Sequence, residues 1–496
     1  MGVTCDDFKE AYVKATSTIA GDDFGYAVSL SGDTLAVGAL DEGSCATGPG
    51  ANPGQLGCSG AGAAYIFRRD AAGTWHQEAY IKPSHIAADD RFGRSLSLDG
   101  DTLAVAAAQE DHCAEVPEGT IFQRCEDAGA VFIFRRGGAD GNVTWEQEGY
   151  LKASNVEAGD QFGWAVALAG ETVAVSSILE QSCATGVDGD QTNNDCHKAG
   201  AVYVFRRSTN GASPAWLQEA YIKASNTDAI DEYDYFGRAL ALNADTLVVG
   251  ADGEDSCADA ASHSQTGGGC ADSGASYVFR RNESPGTPTW TQEALLKASV
   301  SRPDAGFGSA VAVFGDSLAI GAPREASCAT SVDGDQQDQS CPEAGAAYVF
   351  ERSQEGGQVS WQQSAYLKAS NTDTKTNSFG SALSLGSRQL AVGAPLEDSC
   401  AIDVDGNAND NACKDAGAVY LFERSPEGGW SQQAYLKASH PDGAPPGDFG
   451  RTVSLSGTSL AIGAPLEDGC ATKINGAESK LTCAFAGAVY VRRVAP

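Results

Sequence analysis

One short pattern recurs seven times along the chain and constrains its fold more than any other feature. A Phe-Gly pair opens each unit, and successive pairs begin 68 to 74 residues apart. The pairs begin at Phe24, Phe92, Phe162, Phe236, Phe307, Phe379 and Phe449. Self-similarity at a fixed period is typical of repeat architectures, in which each unit packs against its neighbours. The 496 residues therefore predict one array of seven units.

Each unit contains four runs of residues that are typical of β-strands. In the first unit, strand one is Phe24-Gly-Tyr-Ala-Val-Ser-Leu30, strand two runs from Leu35 to Ala39, and strands three and four open at Gly62 and Trp75. Short turn words such as Ser-Gly-Asp separate strands one and two. The apolar residues show no long 3.6-residue period. The sequence therefore predicts an all-β chain built from four-stranded antiparallel meanders.

The seventh unit lacks a fourth strand, and the N-terminal segment contains the sequence motif of that strand. Residues 8–15 read Phe-Lys-Glu-Ala-Tyr-Val-Lys-Ala, which resembles Gln77-Glu-Ala-Tyr-Ile-Lys82 at the end of unit one. Pairing the first strand into the last sheet would close a ring and remove an open edge. We therefore predict a seven-bladed β-propeller whose ring is closed by the N-terminal strand. The predicted blades of this single domain, 1–496, are about 24–82, 92–153, 162–224, 236–298, 307–369, 379–438, and 449–494 together with 8–15.

Fourteen of the fifteen cysteines form one pair per unit, 12 or 13 residues apart. The pairs are Cys45/Cys58, Cys113/Cys125, Cys183/Cys196, Cys257/Cys270, Cys328/Cys341, Cys400/Cys413 and Cys470/Cys483. This spacing predicts a local disulfide in each unit and an oxidising location, extracellular or at the cell surface. Zinc knuckles would need closely spaced cysteines or histidine partners, and the six histidines are scattered. The odd residue, Cys5, is expected to be free or linked to another chain.

The charge balance is strongly acidic. Lys and Arg number 33 and Asp and Glu 66, which gives a net charge of −33. This charge argues against nucleic acid or an anionic membrane surface as a partner. Cations, basic protein surfaces and neutral glycans remain open, as does an acidic surface that is merely suited to salty surroundings. No apolar run approaches the roughly 20 residues of a spanning helix, so membrane insertion is not expected.

The Phe-Gly starts are matched by Gly-Ala-Pro words at the end of strand two, at 321–323, 393–395 and 463–465. Together these motifs resemble the FG-GAP repeats of the integrin α-subunit head. The resemblance spans all seven units and implies a seven-bladed propeller in which the loops from strand two to three and from strand four to one share a ligand-binding face. Units two and three depart from it, with Ala106-Ala-Ala108 and Ser176-Ser-Ile178. A tight turn replaces the integrin-type calcium loop between strands one and two, so the calcium sites of that family are not expected.

A glutamate stands three residues before the first cysteine of every pair. The seven are Glu42, Glu110, Glu180, Glu254, Glu325, Glu397 and Glu467. On the ligand-binding face they could form a ring of carboxylates for a cation or a basic ligand. Alternatively each could be a structural residue with a lysine or backbone partner, because a strand-four lysine recurs just as strictly. A residue that repeats in every blade has the same surroundings seven times, which favours the structural interpretation.

The units differ most inside the cysteine-bounded loops. Unit one has a Gly-Pro-rich loop at 47–54, unit two an apolar stretch at 116–122, unit four His263 and three glycines, and unit seven Lys473 and Lys480. Units three, five and six share Val-Asp-Gly followed by Asp or Asn. The candidate metal ligands there are Asp188, Asp190, Asp333, Asp335, Asp403, Asp405, Asn407 and Asn409. Oxygens on alternate residues suit Ca²⁺, and Asx-turn chemistry explains the same residues. Calcium is the only cofactor for which the sequence offers a candidate.

The sequence contains no recognisable catalytic motif. Gly315-Asp-Ser-Leu318 resembles the opening of a lipase motif, but it lies at the turn between strands one and two. We therefore expect a non-enzymatic extracellular binding or adhesion module that presents acidic, disulfide-pinned loops to a protein or glycan ligand. The alternatives are a structural subunit of an extracellular polymer or surface layer, which would contact copies of itself, and an enzyme of unrecognised type.

Overall fold

The computed structural model describes residues 10–17, 19–113, 125–138, 143–211, 213–227, 233–257, 269–283, 288–439, 447–476 and 483–494. Cys5, the apolar stretch 116–122, His263 and Lys480 lie outside the described residues. The described part forms 28 strands in seven four-stranded sheets, and no helix occurs in it. None of its segments could therefore cross a membrane as a helix.

Each sheet is one blade, with neighbouring strands antiparallel. The N-terminal strand is β1 (Glu10–Val13). Blades one to three are β2 (Phe24–Ser31), β3 (Thr34–Ala39), β4 (Ala63–Arg69), β5 (Trp75–Ile81); β6 (Leu96–Asp99), β7 (Thr102–Ala107), β8 (Ala130–Gly137), β9 (Thr144–Leu151); β10 (Phe162–Ala169), β11 (Thr172–Ser177), β12 (Ala201–Ser208), β13 (Ala215–Ile222). Blades four to seven are β14 (Leu240–Asn243), β15 (Thr246–Ala251), β16 (Ala275–Asn282), β17 (Thr289–Leu296); β18 (Ala310–Phe314), β19 (Ser317–Ala322), β20 (Ala346–Glu355), β21 (Gln358–Leu367); β22 (Ala382–Leu385), β23 (Gln389–Ala394), β24 (Ala418–Arg424), β25 (Trp430–Leu436); β26 (Thr452–Ser456), β27 (Ser459–Ala464), β28 (Ala488–Arg493).

The core lies between the blades. Strand two of blade one, β3, is buried along its whole length, because side chains on both faces pack against neighbouring sheets. The Phe24 ring lies 5.4 Å from Tyr65 and 6.0 Å from Phe67, centroid to centroid, in edge-on contacts. The same edge-on geometry recurs at the Phe-Gly phenylalanines of blades two to six, which contact two aromatic rings of strand three in their own blade. Such pairs stabilise by about 0.5–1.5 kcal/mol beyond area burial.

The repeated glycines mark the closest contacts between blades. A Cβ on Gly38, at the end of strand two, would collide with the carbonyl oxygen of Gly93 in the next Phe-Gly pair. A Cβ on Gly62, at the start of strand three, would collide with the backbone of Phe92. Blade two has Ala106 and blade three has Ser176 where the other blades have the strand-two glycine. A Cβ on the next Phe-Gly glycine would lie 3.1 Å from Ala106 Cβ and 2.6 Å from Ser176 Cβ, so these two positions accept only small side chains.

A second interaction links neighbouring blades at the outer strands. Arg136 of blade two donates two hydrogen bonds, from Nε and Nη2, to the Glu78 carboxylate of blade one, each at 2.8 Å. Trp145 Nε1 donates to the same carboxylate at 3.0 Å. The arrangement recurs for Arg207 and Trp216 on Glu148, Arg281 and Trp290 on Glu219, and Arg352 and Trp361 on Glu293. Two-point contacts between arginine and carboxylate fix orientation as well as distance, so they hold the angle between blades.

The ring closes as predicted. The last sheet has the order β1-β28-β27-β26, and Tyr12 of β1 stands opposite Tyr490 of β28. A Cβ on Gly463 of the last blade would collide with the Gly25 carbonyl of the first, so the first and last blades meet through the same glycine contact as the others. The all-β, seven-bladed propeller with four antiparallel strands per blade is thus confirmed.

Deleting residues 1–15 should lower the thermal midpoint of the whole domain. The deletion removes the outer strand of blade seven and leaves Glu467 without its partner Lys14, a change expected to cost at least 3–5 kcal/mol. Appending residues 8–15 after Val494 through a short glycine linker should restore the midpoint, because β1 and β28 are antiparallel. Differential scanning calorimetry of the three proteins tests this. An unchanged midpoint in the deletion variant would contradict closure by β1.

Candidate functional site

The longest connections lie together at one end of the propeller. In a four-stranded meander, the loop from strand two to three and the loop from strand four to the next blade leave from the same end. The structure shows their contact directly: Asp89 N donates to Ser59 O, and Phe92 N to Ala61 O, both at 2.9 Å. We call this end of the molecule the loop face.

All seven predicted disulfides are present, and each closes a loop between strands two and three of its own blade. They join Cys45 to Cys58, Cys113 to Cys125, Cys183 to Cys196, Cys257 to Cys270, Cys328 to Cys341, Cys400 to Cys413 and Cys470 to Cys483. The pairing within single blades is therefore confirmed.

The seven recurring glutamates are buried, and each forms an ion pair with the lysine that ends strand four. In blade three, Lys223 Nζ lies 2.7 Å from Glu180 Oε2, and the Tyr221 hydroxyl donates to Glu180 Oε1 at 2.8 Å. The other pairs are Lys14–Glu467, Lys82–Glu42, Lys152–Glu110, Lys297–Glu254, Lys368–Glu325 and Lys437–Glu397, at 2.6 to 3.0 Å. In blade one the lysine also donates to the Gly62 carbonyl at 2.6 Å, so it joins the ends of strands two, three and four.

These pairs are separate from one another and largely shielded from solvent. Glu180 is 1% exposed and Lys223 is fully buried. Burial lowers the pKa of Lys223 below its usual value, and the attraction of Glu180 opposes that shift without cancelling it. The structure therefore places the glutamates in seven structural pairs, the geometry that the second interpretation of the sequence requires, and does not bring them together around one ligand.

The Val-Asp-Gly loops use their oxygen atoms to fold onto the outer strand. Asp188 N donates to Tyr221 O at 2.7 Å, and Asp188 Oδ1 accepts from Tyr221 N at 2.9 Å. Asp333 with Tyr366 and Asp405 with Tyr435 repeat both bonds. The loop aspartate thus pairs with backbone N–H and C=O groups near the end of strand four, which would otherwise face solvent.

The next oxygen in each of these loops forms an Asx turn. Asp190 Oδ1 accepts from Thr192 N at 2.9 Å, Asp335 Oδ1 from Gln337 N at 2.8 Å, and Asn407 Oδ1 from Asn409 N at 3.2 Å. Asp403 has a different neighbour, since its Oδ1 lies 3.8 Å from Arg492 Nη2. Within the described residues, no three Asp, Glu, His or Cys side chains of these loops converge as metal ligands. Calcium binding here stays a prediction.

A cleft on the propeller axis is lined by residues from all seven blades and has a volume of about 430 Å³. Its inner ring consists of the residues that follow the Phe-Gly pairs. They are Tyr26, Arg94, Trp164, Arg238, Ser309, Ser381 and Arg451. Asp252 and Arg324, at the ends of strand two in blades four and five, complete the charged lining. We call this the axial cleft.

Arginines and aromatic rings alternate in the axial cleft. The Arg94 guanidinium carbon lies 3.6 Å from the centre of the Trp164 ring, and Arg238 approaches the same ring at 5.3 Å. Arg94 and Arg451 lie 5.9 and 5.8 Å from the Tyr26 ring. Contacts of this kind hold guanidinium groups flat against rings while their edges remain able to donate.

Two arginines of the cleft act on Tyr26 although the chain as a whole is acidic. Burial alone would raise the pKa of Tyr26, but the Arg94 and Arg451 guanidiniums outweigh it and lower the pKa below its usual value. Arg94 Nη1 donates to the Tyr26 hydroxyl at 3.1 Å. Among the described residues that line the cleft, Asp252 is the one carboxylate, and its Oδ2 lies 3.5 Å from Arg238 Nε. Its Oδ1 is buried and accepts no hydrogen bond.

Sequence reasoning missed the axial cleft. Its ring residues stand at one fixed place in the repeat, directly after Phe-Gly, and that place varies from Tyr to Arg, Trp and Ser. A comparison of the seven units at that position would have shown three arginines and two aromatic residues. The net charge of −33 pointed the other way, because it averages over the whole surface.

Buried carboxyl groups also lie beside the loop face, two residues before the Phe-Gly pairs. Burial raises the pKa of Asp22, Asp90 and Asp160 to about 7. In Asp22 and Asp90, Oδ2 accepts a backbone N–H from three residues upstream. Blade six has the neutral Asn377 at the same place, also buried. An uncharged side chain is therefore what this position accommodates.

Comparison with known proteins agrees with the repeat boundaries. A family model described as FG-GAP repeat matches residues 9–67, 75–134, 145–205, 216–279, 290–350 and 430–482, more than half of the chain. No curated protein matches the sequence. Among solved structures, the chain is similar to Trypanosoma rangeli sialidase at 12% identity, over 86% of this chain and 56% of that chain, with a TM-score of 0.34. The chain thus matches little more than half the length of the sialidase.

Lys223→Met should destabilise the domain by about 3–5 kcal/mol, because it leaves Glu180 buried and unpaired. Arg388→Met is the matched control. It breaks the exposed Arg388–Glu423 pair and should cost less than about 1 kcal/mol. Urea denaturation followed by tryptophan fluorescence measures both. Equal effects of the two substitutions would show that the buried pair has no special structural role.

The stability of the protein should fall as the pH rises from about 4 to 7. The folded-state pKa of Asp160 is about 7, above the value of about 3.9 expected in the unfolded chain. The stabilisation linked to this group is therefore complete below the unfolded pKa and is lost as the pH rises through the folded pKa. One such group changes the free energy of unfolding by up to about 1.4 kcal/mol per pH unit.

Asp160→Asn should make this decline shallower, since it removes the titrating group and matches the asparagine of blade six. Asp335→Asn, at an exposed position, is the control and should leave the slope unchanged. Urea midpoints at several pH values between 4 and 8 provide the measurement. If both variants have the wild-type slope, Asp160 is not protonated in the folded state.

Proposed function

Because the chain belongs to the FG-GAP repeat family, and its seven disulfides are typical of an oxidising, extracellular compartment, we propose that it is a non-enzymatic extracellular binding module. The axial cleft is its ligand-binding centre. The disulfide-pinned loops around it form the rim of the same face. The ligand is an acidic glycan, or the acidic segment of a protein that presents the same chemistry.

The observation that carries the proposal is the concentration of arginine in the axial cleft of an acidic protein. Arg94, Arg238, Arg324 and Arg451 line the cleft, and Asp252 is the single carboxylate among the described residues that line it. Guanidinium groups recognise carboxylates and sulfates through paired N–H donors. The rings of Tyr26 and Trp164 add apolar surface between the guanidiniums, which a sugar ring can contact. Such a site favours an anionic ligand with an extended, partly apolar face.

One detail favours a glycan over a peptide. Asp252 Oδ1 is buried without a hydrogen-bond donor, and this residue lines the same cleft. A buried acceptor without a partner costs about 1–3 kcal/mol, and a ligand hydroxyl can offset that cost once the Asp252 side chain turns towards the cleft. A ligand with both hydroxyl and carboxylate groups would engage Asp252 and the arginines together. Acidic sugars have both groups.

The loops around the cleft provide the means of selectivity. Each is closed by a disulfide, so its conformation does not depend on burying a core of its own, and its sequence is different in most blades. Loops of this kind combine variable side chains with a fixed position. The acidic character of the rim would repel acidic ligands that fail to reach the arginines, which adds discrimination.

A second candidate is self-assembly, in which the acidic loops of one copy enter the axial cleft of another. The supporting observation is the charge complementarity within one chain, whose surface is acidic and whose axial cleft is basic. Because the loops and the cleft share one face, such a contact would pair the loop faces of two copies and close as a dimer. Sedimentation velocity over a range of protein and salt concentrations would detect it, since assembly should weaken as salt rises.

Acidic oligosaccharides such as oligogalacturonate should bind, and neutral oligosaccharides of the same length should not. Arg94→Gln/Arg451→Gln should weaken binding at least tenfold, because each charge-assisted hydrogen bond contributes about 1.5–3 kcal/mol. Arg388→Gln, outside the axial cleft, is the control and should bind as the wild type does. Isothermal titration calorimetry at two salt concentrations provides the measurement. Poly-glutamate serves as the peptide arm, and tighter binding of that peptide would assign the cleft to a protein ligand.

Equal binding by the double variant and the wild type would contradict the assignment of the axial cleft. Equal binding of neutral and acidic oligosaccharides would contradict the proposed ligand chemistry.

A further inference from the structure

Among the seven repeats, blade two alone has histidine at both of two positions around its buried glutamate. In blades three, four and six, an asparagine before the blade donates to the glutamate: Asn155 to Glu180, Asn226 to Glu254 and Asn371 to Glu397, at 2.9 to 3.0 Å. Blade two has His85 at this position. Two residues after the glutamate, five of the blades have serine, and blade two has His112. Two imidazoles therefore meet one buried carboxylate in this blade.

The three side chains converge on one point. His85 Nε2 lies 3.4 Å from Glu110 Oε1, and His112 Nδ1 contacts the same oxygen. One ligand atom from each of the three residues lies within 4.8 Å of the other two, and no other group of His, Cys, Asp or Glu in the described ranges does so. Ligand atoms around a tetrahedral zinc ion lie roughly 3.3 Å apart, as follows from zinc–ligand bonds of about 2.0–2.2 Å. The distance between His85 Nε2 and Glu110 Oε1, 3.4 Å, is close to that value, and His112 Nδ1 lies on the same oxygen.

The surroundings prepare these groups as ligands. Ser84 Oγ lies 3.3 Å from His85 Nδ1, and this contact leaves Nε2 directed at Glu110. Lys152 Nζ donates to Glu110 Oε2 at 3.0 Å, so the ion pair of the blade uses the carboxylate oxygen further from the imidazoles.

The group is also open on one side. Glu110 is buried at the base, whereas the His85 and His112 side chains are 39% and 25% exposed. Cys113 follows His112 directly and anchors it through the disulfide to Cys125. An ion bound here would have three protein ligands from two different segments of the loop face and a remaining position towards solvent.

We propose that His85, Glu110 and His112 bind a divalent transition-metal ion, Zn²⁺ in the first place, with one coordination position left for water or a ligand atom. Two imidazoles and one carboxylate are a ligand set that zinc accepts. Calcium prefers sites made entirely of oxygen, so it should not compete. The site is distinct from the Val-Asp-Gly loops, which lie in blades three, five and six.

The test compares the full chain with a variant that gives blade two the residues of blade three. His85→Asn/His112→Ser introduces the asparagine and serine found there at Asn155 and Ser182, so the fold is expected to be retained. His76→Asn is the control, because His76 is exposed and pairs with Asp70 away from the cluster. After treatment with a chelator, Zn²⁺ is titrated by calorimetry. Co²⁺ is titrated by visible absorption, which reports four- or five-coordinate sites.

The wild type and His76→Asn should each bind one zinc ion per chain, and the bound Co²⁺ should absorb in the visible range. The double variant should bind zinc at least 100-fold more weakly and give no such absorption. Millimolar Ca²⁺ should leave zinc binding unchanged. Zinc should raise the melting temperature of the wild type and not of the double variant. A circular dichroism spectrum confirms folding, and His85→Asn alone is the second variant if the double one is unstable.

Two results would overturn the proposal. One is that neither ion binds the chelator-treated wild type, in which case the imidazoles serve only as polar partners of Glu110. The other is that the double variant binds zinc as tightly as the wild type, which would place the metal elsewhere.

Discussion

The contact between glycine backbones of neighbouring blades is the constraint on which the rest of the propeller depends. The strand-two glycine of one blade lies so close to the Phe-Gly glycine of the next that a Cβ at Gly38 has no space. Close backbone approach of this kind needs glycine. It also fixes where strand one of each blade lies, so the residue after Phe-Gly is held at the axis. The motif that identifies the fold thus also places the side chains of the axial cleft, from Tyr26 in blade one to Arg451 in blade seven.

The loop face combines fixed supports with variable contents. Buried pairs such as Lys223–Glu180 join the ends of strands at the base of each loop, and the disulfides close the loops above them. Closing a loop of about 13 residues contributes on the order of 3 kcal/mol in the chain-entropy model. The loops therefore need little apolar burial to stay ordered. Their sequences can vary from blade to blade and form binding sites. Blade two illustrates this, since it keeps its Lys152–Glu110 pair while replacing two polar neighbours with histidines.

The sequence was sufficient for the fold and insufficient for the site. Blade number, strand order, disulfide pairing and closure by the N-terminal strand all follow from words that repeat along the chain, such as the one shared by residues 8–15 and 77–82. The axial cleft joins single residues about 70 positions apart, and each of them is unremarkable within its own unit. The histidine cluster could not be predicted from the sequence either. His85 and His112 are 27 positions apart and come together only in the fold, where both contact Glu110. Repetition reveals the architecture, whereas these sites consist of departures from the repeat.

The pairing of β1 with β28 has a mechanical consequence. Glu10 stands opposite Arg492, so the two chain ends leave the last blade from the same end of this strand pair. A pull that separates these ends would load the hydrogen bonds between the two strands one after another, in a zipper geometry, and not all at once in shear. The rate at which the ring opens under tension would then depend on few bonds at a time. In a propeller tethered through both of these strands, β1 would separate from β28 in blade seven first, while the other six blades are still folded.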